Sequence, residues 1–333
     1  MKASKKLILL FLLSAALAAT VSMKHEPTRM EKLTVPVRHL ENFRFDPQGA
    51  LDQRVTNAPG FVLDYLMEFD QRKDYAAYQP TAAEMKTIRE TIGQLPPALK
   101  SALRERLVAI YFVSNLRGNG FTDFTMDRDR RMYLFMVFNP RSLQSDISSV
   151  LTGRELTCFK NDDPALSVSI TAGAGRPGLL YILLHESAHG YDYLNHVTPY
   201  VEPGIPGAPK FTPAEKPFTR GVWKAYSEPL AESDFALRKK VAFYGLAGGP
   251  KLKISQTQEA YSQLGQSPFV SLYGSQNWAE DFADSLAFYH LTQKMNLPYK
   301  IILSRPGAQD IIYEPEQNPK VRLRFGLLET FYH

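Results

Sequence analysis

The stretch Leu179-Leu180-Tyr181-Ile182-Leu183-Leu184-His185-Glu186-Ser187-Ala188-His189 decides how this chain is read. Its first six residues are apolar nearly all round, so a helix built from them is buried. A helix turns about 100° per residue, which puts His185 and His189 about 40° apart on one face, one turn above the other. Two imidazoles so placed can both reach one ion, with Zn–N bonds near 2 Å. Glu186 stands beside them, placed to touch a water activated by the ion rather than the ion itself. Two histidines and a glutamate in a buried helix are expensive unless something compensates them, and a metal ion does. The plain alternative is a helix whose histidines are satisfied by other groups of the core.

A catalytic zinc site takes three protein ligands and keeps one position open. A glycine at 192 with a histidine at 195 would continue the motif as in metzincins. The chain has Asp192 and Asn195 there, and His196, one residue out of register, reads as an ordinary surface histidine. A better source is Tyr273-Gly274-Ser275-Gln276-Asn277-Trp278-Ala279-Glu280-Asp281-Phe282-Ala283-Asp284. At i and i+4 on a helix, Glu280 and Asp284 project from one face. Glu280 can bind zinc, while Asp284 accepts the distal N–H of a zinc-bound histidine and fixes its tautomer. Phe282, Ala283, Leu286, Ala287 and Tyr289 make this helix largely apolar, which weighs against a solvated acidic face. Asp192 shares the face of the two histidines. It is their hydrogen-bond partner, or else it makes a salt bridge or a helix-end contact.

The pattern H-E-x-x-H-x-x-D, followed by Y-G-x-x-N-x-x-E-x-F-A-[DE], resembles the catalytic domain of anthrax lethal factor and its bacterial relatives, zinc endopeptidases of the gluzincin type. The resemblance is carried by His185, Glu186, His189 and Asp192, then by Tyr273, Gly274, Asn277, Glu280, Phe282, Ala283 and Asp284. It implies a zincin-like domain and one catalytic zinc ion. It also implies assistance to the transition state from Tyr273, the tyrosine seven positions before the glutamate ligand. The likeness covers residues 130–333 and is motif-deep. The long stretch between the motifs exceeds what the family's compact form needs, so substrate preference is not carried across.

The flanking sequence sets the frame. Lys2, Lys5 and Lys6 precede the apolar run Leu7–Leu13, and Ala16 and Ala18 form a small-residue cleavage site, so residues 1–18 read as a signal peptide for export. The alternative, an uncleaved membrane anchor, has an apolar stretch short for a bilayer. Residues 24–58 read as an extended lead-in, either plain linker or inhibitory pro-segment. Residues 59–130 read as a helical N-terminal region, including a helix from Ala98 to Leu116. The catalytic domain then occupies 131–333. Strands are expected over Met132–Phe138, Glu155–Lys160 and Ala165–Thr171, and helices over Leu179–Leu194, Trp223–Phe243 and Ser275–Met295. The tail should give strands Lys300–Leu303 and Ile311–Tyr313 and a helix from Pro319. Six prolines between Val197 and Pro217 rule out regular structure there. The class is α+β: a helical part, a small mixed sheet and helices that carry the chemistry.

Composition excludes more than it identifies. With 333 residues, 44% of them hydrophobic and 22% charged, the chain is an ordinary globular one. Three of its five net positive charges are the signal lysines, and Arg128-Asp129-Arg130-Arg131 is a short solvated turn, so nucleic acid is no expected partner. No segment after the leader is long and apolar enough to span a membrane. Cys158 stands alone and reads as buried. His290, Tyr191 and Tyr193 read as packing residues. The expected partner is a protein or peptide, lying along the edge of the small sheet, with Trp223, Tyr226 and the proline-rich segment as cleft walls. Rival readings are an exported zinc hydrolase acting on cell-wall or other amides, and a non-catalytic protein stabilised by structural zinc.

Overall fold

The computed structural model describes residues 26–199 and 210–333. The expected signal peptide and most of the proline-rich segment lie outside the described residues.

Helix α1, Arg29–Val37, begins at Thr28, whose hydroxyl accepts the Glu31 N–H while the Glu31 carboxylate takes the Thr28 N–H. The segment it opens is no extended lead-in, because Val37, Phe43 and Leu51 are buried in the core. Helix α2 (Gly60–Asp70), strand β1 (Ala76–Tyr78) and helices α3 (Ala82–Gly93) and α4 (Pro97–Arg106) follow. The helix expected over 98–116 stops at Arg106, and Leu107–Ser114 is strand β2. Its run of buried apolar residues could equally suit a buried helix. What favours the strand is the density of β-branched and aromatic side chains from Val108 to Val113.

Strands β3 (Gly120–Met126) and β4 (Met132–Phe138) form a hairpin, with the charged turn 128–131 exposed as expected. The sheet runs β1-β2-β4-β3, with β2 and β4 parallel and the other pairs antiparallel. It takes strands from both sides of residue 130, so the expected domain boundary falls inside one sheet. Strand β3 is an edge. Its far end is covered, since the Met126 N–H donates to the Arg38 carbonyl at 3.1 Å.

A short helix α5 (Arg141–Gln144) leads to α6 (Ile147–Leu156), capped by Asp146, whose Oδ1 accepts the Ser149 N–H at 2.8 Å. The strand expected over 155–160 therefore shrinks to β5 (Phe159–Lys160). Strand β6 (Ser167–Ala172) precedes helix α7 (Gly178–Asn195). Beyond residue 210 the helix expected over 223–243 does not form. A small hairpin, β7 (Trp223–Ala225) with β8 (Glu228–Pro229), and a series of turns stand there instead. Pro229 has no N–H and disfavours helical geometry at Glu228. Arg238 reaches back to the carbonyls of Ser227 and Ser275, at 3.2 Å each. Strand β9 (Leu252–Lys253) pairs with β5, and α8 (Thr257–Leu264) leads on to α9 (Trp278–Tyr289), extended by one π-helical turn, His290–Lys294. Strands β10 (Tyr299–Ser304) and β11 (Ile311–Tyr313) complete an antiparallel sheet with β6, and α10 (Pro319–Phe325) lies near the end as expected.

The protein is thus α+β, with ten α-helices among the described residues, small mixed sheets and a helical N-terminal part. Helix α7 packs on β3 and β4 and also on α9. Gly190 permits the close approach to the sheet, since a Cβ there would stand 2.7 Å from Leu134 Cδ1. No described helix is long and apolar enough to cross a membrane.

Candidate metal centre

Two helices supply the polar atoms of the site. From its start through Ala188, α7 is buried, which carries His185 and Glu186 into the interior. Helix α9 starts at Asn277, whose side-chain oxygen accepts the N–H groups of Ala279 and Glu280 at 3.0 Å each. That cap fixes the first turn and turns Glu280 toward α7. His185 Nε2 lies 3.1 Å from His189 Nε2 and 3.1 Å from Glu280 Oε2, and His189 Nε2 lies 3.4 Å from the same oxygen. A tetrahedral ion with bonds near 2.0–2.1 Å requires donor atoms about 3.3 Å apart. The three residues form a buried to half-buried group close enough to bind one metal ion.

The donor chemistry fits as well as the spacing. His185 Nδ1 lies 2.8 Å from Asp284 Oδ1, which assigns the ring proton to Nδ1 and turns the Nε2 lone pair toward Glu280. A lone pair facing a carboxylate needs a cation between them, a proton or a metal. Burial opposes charge on His185, but Asp284 and Glu280 outweigh it and push the imidazole up to about 10. Burial alone would raise Glu280. The charges of His189 and His185, with their hydrogen bonds, bring it down to about 2. Asp284 is fully buried, yet Arg154 first and His185 next hold its carboxyl well below the usual range. Arg154 grips both Asp284 oxygens at 3.2 Å, and the hydroxyls of Tyr181 and Ser271 donate to them as well.

Glu186 lies outside the donor triangle. Its Oε2 accepts from the Thr122 hydroxyl of β3 at 2.7 Å. The strand comes so near that a Cβ on Gly120 would stand 2.9 Å from Glu186 Cγ and Oε1. The Tyr273 ring lies 5.8 Å from that of His185, under the Arg154 guanidinium at 4.4 Å and edge-on to Phe243 at 5.0 Å. Its hydroxyl makes no hydrogen bond among the described residues, and burial pushes its pKa well up, so it stays a donor. A cavity of about 300 Å³ opens over these groups, walled by Gly120 to Thr122, Tyr226, Leu246, Tyr273 and Trp278.

The structure therefore brings His185, Glu186, His189, Tyr273, Glu280 and Asp284 to one place. Asp192 is spent differently: its carboxylate accepts the N–H and hydroxyl of Thr198 at 2.7 and 2.5 Å, a helix-end contact. His196 is half-buried at the end of α7 and lines the cavity rather than lying on the open surface. Trp223 is no cleft wall. It is buried, and its indole donates to Asp281 at 2.8 Å. His290 is structural, buried against the Tyr332 hydroxyl at 2.8 Å and lowered to about 4, mainly by burial. Tyr191 packs on Phe331 and Tyr193 on Phe124, and Cys158 is fully buried. Sequence reasoning missed Arg154, Tyr181, Ser271, Gly120 and Thr122. Only Tyr181 left a trace, one helical turn before His185 on the same face. No family model, no curated protein and no solved structure matches this chain.

Proposed function

We propose that this chain is an exported zinc-dependent endopeptidase of the zincin type, acting on a protein or peptide substrate. The observation that carries this reading is the convergence of two imidazole nitrogens and one carboxylate oxygen within 3.1–3.4 Å, with a second carboxylate beside them but outside the triangle. Three ligands with one position open is the make-up of catalytic zinc, whereas structural zinc closes its shell, usually with cysteine. His185, His189 and Glu280 would hold the zinc ion, which when bound would supply Lewis acidity to a carbonyl oxygen and to water.

The chain's own residues do the rest. Glu186, oriented by Thr122, takes a proton as water attacks the carbonyl carbon, and returns it to the amine nitrogen when the C–N bond breaks. The free Tyr273 hydroxyl donates to the carbonyl oxygen as negative charge develops there. Asp284, held by Arg154, Tyr181 and Ser271, keeps His185 in the right tautomer and orientation. An extended peptide lies along the edge of β3 over Gly120 to Thr122, where no described strand pairs on the outer side; farther along, the Phe124 N–H and carbonyl are already taken by Asp123 and Arg38. The test is digestion of a broad peptide library, with and without a chelator, by wild type and by Glu186→Gln. Cleavage should need the metal. The variant should bind zinc as wild type does and cleave about 10²–10⁴-fold more slowly. Cleavage that survives chelation, or a variant at the wild-type rate, would overturn the reading.

A further inference from the structure

Beside the main cavity lies a smaller one of about 150 Å³, sharing Gly120, His185, Glu186 and Tyr273 with it and lined in addition by Tyr244. Tyr244 is held with unusual care. Its φ of 55° is left-handed, a conformation that a non-glycine residue keeps only where its surroundings enforce it. The enforcement is visible: its N–H donates to the Thr157 hydroxyl at 3.0 Å, while its ring meets those of Phe243 and Tyr273 at 6.4 and 6.3 Å. The Asn119 side-chain amide donates to the Tyr244 hydroxyl oxygen at 3.0 Å. That bond fills a lone pair and leaves the phenolic proton unspent, next to the cavity. Burial keeps the phenol protonated.

We propose that the Tyr244 hydroxyl is a substrate-positioning donor, hydrogen-bonded to a main-chain carbonyl of the bound peptide next to the bond that Tyr273 and Glu186 act upon. The inference rests on the endopeptidase reading. The left-handed turn at residues 244 and 245 aims the side chain, and Asn119 sets the direction of its proton. Tyr273 serves the carbonyl under attack, and Tyr244 serves its neighbour. The role is therefore in binding the chain, where one lost neutral hydrogen bond costs about 0.5–1.5 kcal/mol, or up to roughly tenfold in affinity.

The experiment is calorimetry on the zinc-loaded full chain with two probes, acetohydroxamate, which carries no peptide, and a peptidyl hydroxamate. Wild type should bind the peptidyl probe far more tightly. Tyr244→Phe should bind acetohydroxamate unchanged and the peptidyl probe about 3–10-fold more weakly. Asn119→Asp, which accepts the phenolic proton instead of donating to the oxygen, should show the same selective loss with the hydroxyl still present. Equal affinity of wild type and Tyr244→Phe for the peptidyl probe would overturn the role of Tyr244 alone. Equal weakening of both probes would make Tyr244 a framework residue. A wild-type protein that gains nothing from the peptide portion would overturn the peptidase reading and this inference with it.

Discussion

Replacing Arg154 with methionine tests the most heavily committed interaction in the site. The Arg154 side chain is 3% exposed and its partner Asp284 is fully buried, and both oxygens of Asp284 lie 3.2 Å from the guanidinium. Methionine fills much of the same volume, so the loss is chiefly electrostatic. Removing one partner of a buried ion pair strands the other charge, at about 3–5 kcal/mol. At about 2–3 °C per kcal/mol for a chain of this size, the midpoint of thermal unfolding should fall by roughly 6–15 °C. The assay is calorimetric unfolding in excess chelator, so that metal binding adds nothing to either protein. Arg89→Met is the control, because Arg89 pairs with Asp52 at 2.7 Å but is 64% exposed, and should cost less than about 1 kcal/mol. Zinc affinity of Arg154→Met should also drop by about tenfold or more, since Asp284 no longer orients His185 as firmly. An Arg154→Met midpoint within about 2 °C of wild type would refute the picture of a buried charge that depends on this arginine.

Gly120→Ala puts a methyl group 2.9 Å from Glu186 Cγ and Oε1 and from Ile182 Cγ2, so it should destabilise by about 1–3 kcal/mol and slow cleavage at least tenfold with zinc content unchanged. Full activity in that variant would mean that β3 does not hold the base. In the chelated protein His185 is raised from 6.5 to about 10, so its contribution to stability is complete below pH 6.5 and is lost as pH rises towards 10. Glu280, lowered from 4.5 to about 2, contributes above pH 4.5 and loses its effect as pH falls towards 2. Urea titrations across pH should thus show these groups favouring pH 4.5–6.5, and a chelated protein that grew steadily more stable from pH 6.5 to 10 would contradict the His185 contribution. Zinc uptake at pH 7.5 should release about one proton, read by calorimetry in buffers of different ionisation heat, because the ion replaces the proton on His185. A zero proton count would mean that His185 is already neutral.

What the chain revealed in advance follows from how local each signal was. Helix α7 was legible to within a residue at each end because its apolar run is continuous and is bounded by glycine on one side and prolines on the other. Glu280 and Asp284 were legible as a pair because one helix sets their spacing. Strand β2 was misread, since seven buried apolar residues carry no periodicity to separate strand from helix. Strand β3 was invisible because its buried Asp123 makes sense only beside Arg38 and Tyr65, which come from far earlier in the chain. The same non-locality hid Arg154, which is 130 residues from the carboxylate it serves. The helix expected over 223–243 does not form, and the chain carries a local reason in Pro229, which has no N–H to donate and disfavours helical geometry at Glu228.

The pairing of Arg38 with Asp123, at 2.9 Å beneath the Phe124 ring, also bears on how this protein could mature. Asp123 is 5% exposed and lies on the face of β3 opposite Glu186, so withdrawing Arg38 would leave a buried anion with only the Tyr65 hydroxyl and its neighbouring N–H as partners. A protease that trimmed the chain beyond Arg38 would therefore loosen β3, the strand that holds Thr122 against Glu186.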